Sequence, residues 1–155
     1  MKKLCLTLLA VLLLACLCGC KTNNNSNNDS SKEEGGQNPV MNFIGTYGKD
    51  RATITIDAQG SKDAKATVVW GSSAVEVGEW TMSGEFNSDT LTFEYDNCVK
   101  KSIVYNEDGS VKSETEIYND GKGSMTFAEN PLSLTWDDQK EHIADGTVFE
   151  YSPVN

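Results

Sequence analysis

The sequence predicts an all-β domain, an antiparallel up-and-down β-barrel of about 8–10 strands with a β-sandwich as the alternative. Three observations predict it. Ten short runs between residues 43 and 151 favour strand, several of them alternating apolar and polar residues with period two. Residues with turn chemistry separate many of the runs. Most links are too short to hold a crossover helix, so neighbouring strands must pair antiparallel.

The runs are Phe43–Tyr47, Ala52–Asp57, Ala66–Trp70, Val75–Ser83, Thr90–Tyr95, Val99–Tyr105, Val111–Tyr118, Ser124–Phe127, Leu132–Trp136 and Thr147–Tyr151. Ile54 and Ile56 share one face, with Thr53 and Thr55 opposite. Leu91, Phe93 and Tyr95 share another, against Thr90, Thr92 and Glu94. Leu132, Leu134 and Trp136 line up against Ser133 and Thr135. Ile103 with Tyr105, Met125 with Phe127, and Phe149 with Tyr151 keep the same period.

Among the connectors, Asn106-Glu107-Asp108-Gly109 and Asn119-Asp120-Gly121 carry the Asp-Gly hairpin signal. Asn130-Pro131 opens another turn. Asp137–Asp145 is the one stretch that reads as a possible helix, and it is short for one. So many sequential strands leave two sheet edges, which closure into a barrel removes and a sandwich only shields.

The first 42 residues are different in character. Lys2 and Lys3 precede the uncharged run Leu4–Leu17, whose 14 residues match the apolar core of an export signal and are too few to span a bilayer. Leu17-Cys18-Gly19-Cys20 follows, and the chain then turns polar. These residues resemble the lipobox of bacterial lipoproteins. That resemblance implies removal of residues 1–19, a diacylglyceryl thioether and a fatty acyl group such as palmitate on Cys20, and localisation at a cell membrane on its extracytoplasmic face. In an organism with an outer membrane, Lys21 lacks the aspartate that retains such anchors on the inner one. Leu13-Leu14-Ala15-Cys16 fits the same pattern and makes Cys16 the competing site. Cys20 is preferred because it borders the polar segment. Two or more acyl chains anchor stably where one does not.

Residues 20–42 read as a polar tether. Residues 21–39 are rich in Asn, Ser, Gly and charge, with no aromatic or aliphatic side chain, and such a segment cannot bury enough apolar area to offset its ordering entropy. A flexible coil of about 20 residues spans about 25 Å. The β domain is then 43–155.

Two of the 13 Lys plus Arg lie in residues 1–19, leaving 11 against 23 acids and a net charge of −12. That surface repels phosphate backbones, so nucleic acid is not an expected partner, and membrane attachment falls to the anchor. Cys98 is the only cysteine of the domain, which excludes an internal disulfide there.

Gly45-Thr46-Tyr47, in the first run, resembles the Gly-x-aromatic opening of lipocalin-like (calycin) barrels. In that group the aromatic plugs the closed end. The likeness favours a barrel over a sandwich and implies no activity.

Trp70, Trp80 and Trp136 are the candidate ligand-binding residues. Trp70 and Trp80 flank residues 71–79, which can form a hairpin with one indole on each strand. Aromatics at a barrel mouth make a ligand cup; the same rings equally suit a core. Other chemistry is thinly represented. His142 is the only histidine, so the usual zinc ligand sets have no basis, and no metal or cofactor is expected. Acidic groups occur at Glu94/Asp96, Glu107/Asp108, Glu114/Glu116 and Asp137/Asp138/Glu141. Such pairs serve glycosidases or calcium, but none has calcium-loop spacing, and solvated surface is the simpler reading. Cys98 lies near Lys100 and Lys101, which could lower its pKa, although a buried thiol is the plainer expectation.

The functional expectation is a non-catalytic binding barrel anchored by lipid, taking a small apolar ligand or an envelope protein. An inhibitor or structural interaction protein is the alternative, and a carboxylate-dependent hydrolase the third reading.

Overall fold

A computed structural model of the chain describes residues 38–153. Cys16, Cys20, the whole of residues 1–19 and the tether up to residue 37 lie outside the described residues.

Eight antiparallel strands close into one barrel in sequential order. They are β1 (Gly45–Lys49), β2 (Ala52–Gln59), β3 (Asp63–Gly71), β4 (Glu76–Asn87), β5 (Thr92–Tyr105), β6 (Val111–Glu129), β7 (Leu132–Asp138) and β8 (Val148–Ser152). β8 pairs back onto β1 through Tyr47 and Tyr151, which closes the ring. The sandwich alternative is therefore set aside.

Ten sequence runs become eight strands because two expected breaks are bulges within long strands. Thr90–Tyr95 and Val99–Tyr105 merge into β5, and Val111–Tyr118 and Ser124–Phe127 merge into β6. Asn119-Asp120-Gly121 is not a turn: Gly121 lies opposite Cys98 in the β5–β6 ladder. Glycine is required there by proximity, since a Cβ would stand 2.8 Å from the Tyr118 ring and 2.9 Å from Cys98 Cβ. The Asn106–Gly109 signal does mark a turn, with Gly109 at φ +82° and Asp108 Oδ1 accepting from the Ser110 amide at 2.9 Å. Asn130-Pro131 links β6 to β7 through a cis peptide. Asp137–Asp145 is no helix: β7 runs to Asp138, and turns follow.

The alternation places the core as expected in most strands. Ile54, Ile56, Phe93, Tyr95, Met125, Phe127, Leu134, Trp136 and Phe149 are all buried. Leu91 departs from its expected strand and sits in a turn at φ +52°. Tyr151 is exposed despite its period-two partner Phe149. Small residues Ala52, Ala64 and Ala66 line the same interior, leaving room for the large rings.

One end of the barrel is plugged. Phe43 packs on Phe127 at 5.0 Å and on Phe86 at 5.5 Å between ring centroids. Tyr47, the aromatic of the Gly-x-aromatic opening, is fully buried and donates its hydroxyl to the Phe43 carbonyl at 2.8 Å. A single 3-10 turn, Pro39–Asn42, belongs to this plug, with Val40 buried. The Asn38 amide donates to the Asp63 carbonyl at 2.9 Å. Residues 38–42 thus belong to the folded domain and not to the tether, because Val40 and Phe43 supply apolar surface that the preceding residues lack.

Candidate binding cleft at one barrel mouth

Alternation of strand direction gathers the links 50–51, 72–75, 106–110 and 139–147 at the end opposite the plug. A cleft of about 410 Å³ opens there. Its walls carry Trp70, Gly78 and Trp80 from β3 and β4, Lys100 and Ser102 from β5, and Ile117 from β6. Arg51, Glu76 and Ile143 also line it.

Pairing brings these residues together. Trp70 lies opposite Gly78, and Trp80 falls two residues later on the same face. The Trp80 ring folds back over Gly78, where a Cβ would stand 2.6 Å from the indole. Lys100 is the cross-strand neighbour of Trp80, and Tyr118 that of Lys100. Tyr118 reaches the inner face through a bulge. In the lower half of β6 the buried positions are odd: Gly121, Gly123, Met125 and Phe127. Between the pairs Cys98–Gly121 and Lys100–Tyr118, β6 spends one extra residue, which turns an even position inward. A second extra residue, between Tyr118 and Glu116, puts Ile117 on the cleft as well.

A closed polar circuit holds this wall. Trp80 Nε1 donates to the Tyr118 hydroxyl at 2.9 Å, which donates to Glu141 Oε2 at 3.3 Å. Lys100 Nζ donates to both Glu141 oxygens at 2.6 and 2.7 Å and stands 4.6 Å from the centre of the Trp80 ring. Lys140 lies over the Tyr118 ring at 4.7 Å and pairs with Asp120. The 139–147 loop is fixed by Asp138, whose carboxylate accepts from the Lys140 and Glu141 amides at 3.1 and 3.2 Å.

Burial sets the titration of the groups below. It raises the Asp138 carboxyl above the usual range, against the pull of its two backbone amides. It pushes the Cys98 thiol up to about 12, with Asp138 and Glu141 adding to the effect. The lysine-activated reading of Cys98 is thereby corrected, since desolvation outweighs Lys100. Tyr118 and Tyr95 are raised by burial as well.

Of the three candidate tryptophans, Trp70 and Trp80 meet at the cleft. Trp70 is half-buried and packs edge-on to Phe149 at 6.3 Å. Trp80 is 2% exposed, so it forms the floor more than the wall. Trp136, 1% exposed, lies behind it, at 5.6 Å and 78° between the rings, and donates Nε1 to the Tyr95 hydroxyl at 2.7 Å. It does not line the cleft.

The acidic groups separate. Glu107 and Asp108 sit in the β5–β6 turn, Glu114 pairs with Lys101 at 2.7 Å, and Glu94 and Asp96 are exposed. Asp138 departs from the expected solvated surface and is buried. His142 is exposed, with Nδ1 2.9 Å from Asp145 Oδ2, and Asp137 lies close by. Asp137 is an exposed residue near the end of β7 and His142 and Asp145 are exposed in the loop after it, so the donor set is that of solvated surface.

Arg51, Glu76, Ile117, Tyr118 and Ile143 were not singled out by the sequence, and Lys100 only as a neighbour of Cys98. One signal existed: Arg51 is the only arginine of the chain. Compared with protein-family models, curated proteins and solved structures, the chain finds no match.

Proposed function

We propose that the chain is an exported lipoprotein, acylated at Cys20, whose barrel is a non-catalytic binding module on the extracytoplasmic face of a membrane. The cleft between Trp70, Trp80 and Ile117 captures a small, largely apolar ligand. One observation carries this reading. Buried side chains pack the barrel interior from the phenylalanine plug up to Trp136, and an open cleft of about 410 Å³ lies at the other mouth. That is within the range of small-molecule sites, which combine apolar walls with a few placed polar groups. The net charge of −12 in the mature chain argues against a nucleic-acid partner. Native mass spectrometry of the membrane-extracted protein tests the reading. A ligand adduct lost in Trp70→Ala is expected. Absence of any adduct, together with no response of tryptophan fluorescence to a panel of apolar compounds, refutes it.

A second reading, an envelope protein partner, has its own observation. β7 pairs only with Gly123–Glu129, so Val111–Lys122 of β6 has β5 as its one strand neighbour. Val111 and Ile117 on this stretch are 56% and 52% exposed. A free edge of this kind accepts an added strand, while Lys112, Glu114 and Glu116 guard it against indiscriminate pairing. Ser113→Pro should abolish a specific envelope pull-down under this reading and leave it intact under the first.

A further inference from the structure

We propose that the ligand of this cleft is a flat organic carboxylate, bound with its apolar face against Trp70 and its carboxylate on Arg51. The inference rests on the cleft reading above and names the chemistry of its occupant.

Two cations line the cleft, Arg51 and Lys100. Lys100 is already neutralised, with both Glu141 oxygens on its ammonium at 2.6 and 2.7 Å. Arg51 is not. Its Nη1 donates to the Ser72 carbonyl at 3.3 Å, and it makes no ion pair among the described residues. Glu76 is the acid that lines the cleft, and its Oε1 accepts from the Ser102 hydroxyl at 2.8 Å. A guanidinium presents several parallel donors in a rigid fork that matches a carboxylate. Arg51 spends one of them, weakly, on the Ser72 carbonyl and none on an acid among the described residues. In a chain with 23 acids against 13 bases, such a group at a cleft is charge-complementary to an anion and not to the protein's own surface.

The body of the ligand follows from the other walls. Trp70 is held edge-on to Phe149, which fixes the plane of its half-buried ring. Ile117 and Ile143 are large apolar side chains left exposed on the cleft's rim. A flat apolar body between an indole and two isoleucines removes this surface from water, whereas the Trp80 face is covered by Lys100. One end anionic and one face flat and apolar is the combination these walls accept.

The test uses the full membrane-extracted protein and two probes of equal shape, 2-naphthoate and the neutral 2-naphthamide, titrated by calorimetry and tryptophan fluorescence. The naphthoate is expected to bind at least about tenfold more tightly, as a charge-assisted hydrogen bond to Arg51 implies. Its advantage should shrink with added salt. Arg51→Gln, an exposed substitution that circular dichroism should show folded, is expected to bring the two affinities together. Trp70→Ala should weaken both. Equal affinities in the unaltered protein, or a preference that survives Arg51→Gln, overturn the carboxylate assignment and leave the cleft reading standing. Binding of neither probe overturns both.

Discussion

Lys100 Nζ stands 4.6 Å from the centre of the Trp80 ring and is tied there by Glu141. The pair joins the β4–β5 ladder to a loop 41 residues further along the chain. Its ionic part is partly open to water, with 17% and 31% of the two side chains exposed, so its worth is modest, about 0.2–1 kcal/mol for the salt bridge and about 0.5–1 kcal/mol for the ring contact. A double-mutant cycle with Lys100→Met and Glu141→Gln should return a coupling within that salt-bridge range. Lys100→Met alone should also shift tryptophan emission, because it removes a charge from the Trp80 face. Additive stability losses in the cycle would show that the two side chains do not act together.

The indole N–H groups of Trp80 and Trp136 each depend on one tyrosine hydroxyl. Tyr118→Phe and Tyr95→Phe leave those donors without their partner, at a cost of about 1–3 kcal/mol each. Tyr95→Phe should cost more, since Trp136 and Tyr95 are both buried while the Tyr118 hydroxyl borders the solvent-exposed Glu141. Urea melts of the two variants give the comparison, and the reverse order would place the better-shielded bond at the cleft.

Alkaline pH should weaken the barrel. Burial pushes Cys98 from its ordinary 9.0 to about 12, and Tyr47 from 10.0 to about 12. Both groups are neutral when protonated, so the folded chain keeps protons that the unfolded chain has already lost. The unfolded state binds fewer protons across this interval, and stability therefore falls as pH rises. The loss begins near pH 9 and runs to about pH 12, at up to about 1.4 kcal/mol per pH unit for each group. Denaturant melts at pH 7 and pH 10.5 should show it, and Cys98→Ala should flatten the slope. The thiol should likewise resist alkylation at pH 8 until the protein is unfolded.

Acylation is checked separately from folding. Cys20→Ser should abolish palmitate labelling and release the protein from membranes, while Cys16→Ser should leave both unchanged. Labelling that survives Cys20→Ser and disappears in Cys16→Ser moves the lipid to Cys16.

What was legible in the sequence was local. Period two identified Ile54 with Ile56, and Leu134 with Trp136, because each strand buries one face and the burial is written into alternate letters. The Asp-Gly signal was true at Asp108-Gly109 and misleading at Asp120-Gly121. In the second case glycine answers to the closeness of Cys98 and Tyr118, a long-range fact that no local pattern carries. The site divides in the same way. Trp70 and Trp80 could be paired from the hairpin between them, whereas Arg51, Lys100 and Ile143 come to the cleft from three separate places, the β1–β2 link, β5 and the 139–147 loop. Tyr118 and Ile117 were further hidden by two bulges that change which letters face inward.

The period-two row of β7 supplies the last prediction. Leu134 and Trp136 are buried side by side on one face, with Thr135 between them on the other, partly exposed and paired with Thr126 and Val148. Trp136→Ala deletes a ring that touches Trp80 edge-on, and it leaves the Tyr95 hydroxyl without its donor. A cavity of that size costs about 3–5 kcal/mol, a large share of the 5–15 kcal/mol that holds a typical domain together. Thr135→Ala removes one methyl and one hydroxyl from a partly exposed position, and should stay within about 0.5 kcal/mol. Trp70→Ala is the informative third variant. Its ring is half-buried at the cleft, so its loss should destabilise less than that of Trp136 while weakening ligand binding more. Denaturant melts and probe titrations on the three variants separate core from cleft. A large stability loss for Trp70→Ala with no change in binding would make all three tryptophans core residues and remove the aromatic wall from the site.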